Sequence, residues 1–209
     1  MIEIKEIRKQ DHKKAQKFAI TGMHFDWYTD SKTLLNLYAK YFWYMELNRA
    51  TRVYGAYVNG AFVGVLLADM KDKPKRYHSV SRKIYVKAIN LLQHLIVGKG
   101  VSEYDNANKD MYSSFFKDNS PDGEIVFLAA DPDCKIKGVG TALLSAFESE
   151  EKGKTVYLYT DNGCTYQFYE HRGFTRVQER QIMLDLDKKQ VPLTCMLFAK
   201  KIGEANKQQ

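Results

Sequence analysis

Apolar and charged residues alternate from Ile2 to Ile7, a period of two that predicts a first strand. Over Lys9–Gly22 the spacing becomes helical, with Ala15, Phe18 and Ala19 on one side and Gly22 as a stop. Met23–Asp30 is aromatic and polar and has no clear period. Ser31 can cap a helix over Lys32–Asn48 that places Leu34, Leu35, Tyr38, Phe42 and Met45 on one face. Arg52–Val58 and Ala61–Met70 are apolar runs joined by Asn59-Gly60, the strongest short-range hairpin signal.

The pattern then changes. Lys71–Lys75 is charged and contains Pro74, and from His78 to Val97 apolar residues recur at helical spacing at Val80, Ile84, Ala88, Leu91, Leu92 and Leu95. After Gly98-Lys99-Gly100 a weaker helical piece covers Tyr104–Lys117, so 71–119 has the character of a helical insertion between the third and fourth strands. Pro121-Asp122-Gly123 is a turn, and Glu124–Ala130 is a near-continuous apolar run of the kind found in strands buried on both faces. A loop over Asp131–Val139, a helix over Gly140–Glu150, a strand over Thr155–Thr160 and a short helix over Thr165–His171 follow. Phe174–Leu186 and Pro192–Lys200 are long strands expected to pair antiparallel, and the polar tail is expected to fray. Strands and helices in this order predict an α/β fold on a mixed sheet.

A chain of 209 residues suits one domain carrying an insertion and can bury a real core. Apolar residues at 44% and charged residues at 27% are ordinary for a globular protein. No apolar run approaches a membrane span, and Met1–Lys14 lacks the apolar stretch of a signal peptide, so no membrane partner and a cytoplasmic location are the expectation. Cys134, Cys164 and Cys195 are few and widely spaced, without metal-ligand spacing, which predicts free thiols and no metal. The net charge of +7 suits a nucleic acid or an anionic cofactor alike. The lysines are spread along the chain with no block of like charge, which favours a solvated basic surface with one anion site and no nucleic-acid partner.

Lys135-Ile136-Lys137-Gly138-Val139-Gly140-Thr141 follows a buried strand and opens a helix. Backbone N–H groups at a helix start are unpaired and carry the positive end of its dipole, so they form a ready anion site. Gly138 and Gly140 let the backbone approach a phosphate, and Lys135 and Lys137 add positive charge at the rim. A tight strand-to-helix turn with no ligand has the same residues. The loop is neither a Walker A sequence nor a GxGxxG fingerprint, which disfavours a kinase or a nicotinamide enzyme.

Two blocks together resemble the GNAT family, the Gcn5-related N-acetyltransferases. The first runs from Leu128-Ala129-Ala130-Asp131-Pro132 into Lys135-Ile136-Lys137-Gly138-Val139-Gly140, where the family has Gln/Arg-x-x-Gly-x-Gly/Ala. Lys135 departs from that pattern, replacing a planar fork or an amide with a point charge. In the second, Asn162 ends a strand and Tyr169 follows seven residues on, within Tyr169-Glu170-His171-Arg172-Gly173-Phe174. The N-terminal half, Met1–Asn119, is similar only in the order of its elements.

The resemblance implies a single GNAT domain over 1–203, with the insertion at about 71–119 and a frayed tail at 204–209. It implies a mostly antiparallel twisted sheet flanked by helices. The implied activity is N-acetyl transfer by direct attack, from acetyl-coenzyme A to the primary amine of a small molecule. In the family the thioester lies in a gap between the fourth and fifth strands, so Leu128, Ala129 and Ala130 would supply the backbone N–H that polarises its carbonyl. Lys135, Ile136, Lys137, Gly138, Val139, Gly140 and Thr141 would hold the pyrophosphate, and Asn162 the pantetheine arm or a bound water. Tyr169 corresponds to the acid that protonates the departing thiolate. Glu124, eleven residues before Lys135, has the spacing of the base in histone-acetylating members; a solvent-facing strand-end glutamate is the alternative. His24, Asp26, Trp27 and Tyr28 fall where the family shapes its acceptor pocket, or else form a packed loop. No covalent enzyme intermediate is needed, so Cys134 and Cys164 take no nucleophilic role. A non-catalytic acyl-CoA sensor, a protein lysine or N-terminal acetyltransferase and a basic RNA-associated protein remain open, as does a homodimer through the C-terminal strands.

Overall fold

The hairpin at Asn59-Gly60 forms as its residues require. Asn59 and Gly60 both take positive φ, 49° and 77°, the pairing that matches the twist of the flanking strands. It joins β2 (Arg52–Val58) to β3 (Ala61–Met70), which pair antiparallel from Arg52↔Ala68 to Val58↔Ala61. β1 (Ile2–Lys5) adds to β2 antiparallel, Ile2 opposite Val58. The computed structural model describes residues 1–96, 100–186 and 189–203, without the side chains of 92–102 and 189. The expected frayed tail at 204–209, the break at Gly98-Lys99 and the side chains of Leu92 and Leu95 therefore lie outside the described residues.

The remaining elements are α1 (His12–Gly22), α2 (Lys32–Arg49), α3 (Val80–Ile96), α4 (Gly100–Phe115), β4 (Gly123–Ala130), α5 (Val139–Glu150), β5 (Thr155–Asp161), α6 (Gln167–His171), β6 (Thr175–Leu186) and β7 (Lys189–Lys201). The strands form a mixed, mostly antiparallel sheet in the order β1-β2-β3-β4-β5-β7-β6. β4 meets β5 in parallel, with Gly123 opposite Val156 and Glu124 opposite Tyr157. No helix among the described residues is long and apolar enough to cross a membrane.

Two compact units divide the chain, one of Met1–Leu95 with Ile125–Glu151, the other of Ile96–Glu124 with Lys152–Gln209. In the first, α1 and α2 pack together and Phe18, Trp43, Leu47, Tyr57, Phe62 and Leu67 form the core. Two of its polar groups meet partners in this core: Trp43 Nε1 donates to His12 Nδ1 at 3.1 Å, and Tyr57 donates to Asp11 at 2.9 Å while accepting the Arg8 N–H at 3.1 Å. Ser31 caps α2 as expected, its hydroxyl accepting from Leu34 N–H. The buried face of α2 is centred on Ala39, Phe42, Trp43 and Leu47, whereas Leu34 is exposed. Leu34 lies in the first turn, before the helix reaches the core.

The insertion departs further from its pattern. The periodic apolar residues of α3 predict a core-facing stripe, yet Val80, Ile84 and Leu91 are 66%, 63% and 70% exposed. Periodicity marks which residues share a face but not whether a partner covers it. α4 begins at Gly100, earlier than expected, and buries Ala107, Met111 and Phe115. In the second unit α4 packs on β6 and β7, β7 runs antiparallel to β5, and β6–β7 form the expected long hairpin. Tyr104 fastens α4 to the end of β5 by donating to Asp161 Oδ2 at 3.1 Å.

Candidate functional site

The glycine loop is built by the first unit. Gly138 adopts φ +88°, in the left-handed region, and is the N-cap of α5, with its carbonyl accepting from Ala142 N–H at 2.9 Å. α5 thus starts at Val139, one residue earlier than its polar pattern predicts. Val139 is buried, and its seat is a glycine the sequence does not flag. A Cβ at Gly64 on β3 would stand 2.6 Å from Val139 Cγ1, 3.1 Å from Leu143 Cδ1 and 3.2 Å from the Ala129 carbonyl oxygen. Gly64 therefore lets the first turn of α5 sit down on β3, beside the end of β4.

The other end of the loop is pinned as well. Asp131 N–H donates to the Val63 carbonyl at 2.8 Å, its carboxylate pairs with Lys14 at 2.5 Å, and it accepts the Asp133 N–H at 3.0 Å. Burial opposes the Asp131 charge, but Lys14 and the Asp133 amide hold its carboxyl below the usual carboxylate range. Between these two anchors Lys135, Ile136, Lys137 and Gly138 are exposed, and nothing stands within 4 Å of the position of a Gly138 Cβ. A fixed backbone with open space in front of a helix N-terminus and two exposed lysines fits an anion such as a pyrophosphate. Leu128 and Ala129 at the end of β4 are half-buried and Ala130 is exposed.

In the same unit His24 takes φ 49° and stacks on Trp27, with ring centroids 4.3 Å apart, over a 3₁₀ turn at Phe25–Trp27. Phe25 anchors the turn against Tyr38 and Phe42. Asp26 and Tyr28 are exposed. The segment expected to be without period is thus an ordered turn, held by one aromatic residue directed at the core.

The second unit holds the other expected residues. Tyr169 lies on α6, with its ring against Phe168, Phe174 and Phe198. Gly173, at φ 78°, closes α6 in the left-handed region, and Phe174 N–H donates back to the Tyr169 carbonyl at 3.0 Å. This is the physical content of the Tyr-Glu-x-x-Gly-Phe block. Burial, with the nearby Cys164, raises the Tyr169 hydroxyl far above the ordinary phenol range, so it stays protonated. Asn162 continues the β5–β7 ladder: its N–H donates to the Thr194 carbonyl at 3.1 Å and its Oδ1 accepts the Thr194 N–H at 2.8 Å. Asn162 itself is exposed.

Glu124, half-buried at the head of β4, accepts a hydrogen bond from Tyr157 at 3.1 Å. Desolvation and the Glu124 charge raise the Tyr157 hydroxyl far above its ordinary range, so it remains the donor. Tyr157 carries no motif, and its role follows from lying opposite Glu124 in the parallel pair. Cys134, Cys164 and Cys195 form no disulfide. Burial pushes both Cys164 and Cys195 up to about 12, which keeps them neutral and poorly nucleophilic.

No sequence-family profile and no curated protein matches the chain. Solved structures do. A histone acetyltransferase HPA2-related acetyltransferase from Corynebacterium glutamicum superposes with a TM-score of 0.60 at 14% identity, covering 99% of each chain. The ribosomal-protein-S18-alanine N-acetyltransferase of Escherichia coli gives 0.52 at 15% identity, over 100% of this chain and 99% of the other. PaiA N-acetyltransferase from Thermoplasma acidophilum, solved in complex with coenzyme A, gives 0.51 at 14% identity over 96% and 99%. At such identities the likeness speaks for architecture, and it spans essentially the whole of each chain. The strand order, the glycine-capped α5 after β4 and these superpositions agree: the chain has the fold of the GNAT acetyltransferases.

Proposed function

We propose that the protein is an acetyl-coenzyme A-dependent N-acetyltransferase acting in the cytoplasm on the primary amine of a small molecule, with residues 1–203 as its catalytic domain. The observation that carries this reading is the Gly138-capped start of α5, seated on Gly64 and rimmed by Lys135 and Lys137. That is a rigid anion site on an exposed surface, and the cofactor's pyrophosphate is its fitting occupant. The fold and the coenzyme A complex of one structural neighbour support the same cofactor.

When bound, acetyl-coenzyme A supplies an activated acyl thioester. The amides of Lys137, Gly138, Val139 and Gly140 bind its phosphates, with Lys135, Ile136 and Thr141 completing the loop. The lysine at 135 adds charge without a planar fork, so the backbone carries most of the binding. A backbone N–H from Leu128–Ala130 donates to the thioester carbonyl oxygen, where negative charge grows during attack. Asn162 donates from its NH₂ to the pantetheine arm. Glu124, fixed by Tyr157, takes the proton of the incoming ammonium through water. Tyr169 Oη, held protonated by burial, gives its proton to the departing thiolate. His24, Asp26, Trp27 and Tyr28 offer aromatic surface and one carboxylate to a cationic acceptor.

The test is release of free coenzyme A from acetyl-coenzyme A across a panel of small primary amines, read for the wild type and for Tyr169→Phe. At least one amine is expected to turn over, and loss of the acid lowers kcat by about 10²-fold or more with little change in cofactor affinity. Tight cofactor binding with no release for any amine would make the chain a binding module instead. Equal kcat in the two forms would remove Tyr169 from the chemistry.

A further inference from the structure

The insertion builds a pocket of its own, wholly inside the second unit. Its volume is about 410 Å³, and Asp105, Asn108, Lys109, Tyr112 and Ser113 of α4 line it together with Tyr159 of β5. The five α4 residues are spaced three and four apart, so they share one helical face. This polar face borders the one that α4 buries through Ala107, Met111 and Phe115.

The lining combines a carboxylate, an ammonium, an amide, a serine hydroxyl and two phenol rings. The Asn108 amide oxygen is shielded from solvent and meets no donor among the described residues. Desolvation raises the Asp105 carboxyl above its ordinary range, an effect only partly offset by Lys109 one turn on. Both groups gain from a positively charged donor. Tyr112 and Tyr159 also line the pocket, and an aromatic ring attracts a cation placed against its face. Lys109 is exposed at the same pocket and repels a second positive charge placed beside it.

The aromatic wall also leads to Glu124. The Tyr157 ring lies 6.5 Å from that of Tyr112 and 5.7 Å from that of Tyr159, centroid to centroid, and its hydroxyl donates to Glu124. One ring thus touches two walls of the pocket and holds the carboxylate proposed to take the amine's proton.

We propose that the pocket formed by Asp105, Asn108, Tyr112 and Tyr159 binds the distal ammonium of an aliphatic diamine, whose other amine is the acetyl acceptor. The binding half of this inference stands on the pocket alone; the acceptor half rests on the acetyltransferase reading. It gives the helical insertion a purpose, which is to select acceptors that carry a second amine, protonated at neutral pH.

Calorimetric titration of the full chain with 1,4-diaminobutane, without cofactor, tests the binding half. Saturable binding is expected, weakened roughly tenfold or more by Asp105→Asn, which removes one charge at constant shape. No binding, or equal binding to the variant, overturns the pocket. So does saturable binding of succinate that Lys109→Gln abolishes, because the site would then be an anion site. The acceptor half is tested by the ratio of kcat/KM for 1,4-diaminobutane to that for butylamine. Asp105→Asn is expected to lower that ratio about tenfold through the KM for the diamine. If butylamine and the diamine both turn over with an unaltered ratio, the pocket assignment fails and the acetyltransferase reading survives. If the diamine binds through Asp105 but no amine is acetylated, the pocket stands and the acetyltransferase reading fails.

Discussion

Gly138 and Gly64 show two different reasons for a missing side chain. Gly138 has open space around its absent Cβ but a φ of +88°, so its constraint is conformational. Gly64 has ordinary backbone but no room. Gly138→Ala should therefore cost about 1 kcal/mol of stability and lower the melting temperature by a few degrees; an unchanged Tm would show that the left-handed cap is not required. The glycine at 138 was legible because it sits in a motif, whereas Gly64 and Tyr157 were not. Their roles depend on which residue faces them across a sheet or under a helix, and a linear pattern does not contain that. The thiols give a second residue-scale expectation. Cys164 and Cys195 ionise near 9.0 when unfolded and at about 12 when folded. The unfolded chain loses these protons first as pH rises, so their contribution to stability is complete below pH 9 and is lost between 9 and 12. At pH 8 almost no folded thiolate is present at either site. In a Cys134→Ser background, dithiodipyridine should label the native protein at least about 100-fold more slowly than the urea-unfolded chain. Comparable rates would contradict the burial of these two thiols.

At the scale of elements, local chemistry and packing separate cleanly. The β2–β3 hairpin has the boundaries its sequence predicts, because Asn59-Gly60 decides the turn and the runs on either side decide the strands. α2 has its expected cap at Ser31. α3 has its expected period and an unexpected exposure, since Val80, Ile84 and Leu91 form a face that meets solvent. α5 shows how an element can depend on a residue far away in sequence. Gly64→Val pushes a side chain into Val139 and Leu143, which must shift to accept it, at a cost of about 1–3 kcal/mol. Because that shift occurs in the first turn of α5, coenzyme A affinity should fall along with stability. The check is to titrate coenzyme A into Gly64→Val at a temperature where circular dichroism shows it folded. Wild-type affinity in a folded variant would mean that the seat of α5 does not set the loop.

At the scale of the molecule, the order of elements was sufficient for the architecture, and two motif blocks were sufficient for the family whose fold it shares. The acceptor was not legible, because the residues that would choose it come from Met23–Asp30 and from the insertion, where no motif applies. The central claim is that the loop Lys135–Thr141 binds coenzyme A through its backbone. Isothermal titration of coenzyme A into the wild type, Gly138→Glu and Ser145→Glu tests it most directly. The two variants add the same charge to one segment. The first adds it at the left-handed cap, the second on the exposed side of α5, away from its first turn. The account predicts saturable binding by the wild type, similar binding by Ser145→Glu and none detectable by Gly138→Glu, in each case for protein that remains folded. Wild-type affinity in folded Gly138→Glu would contradict it.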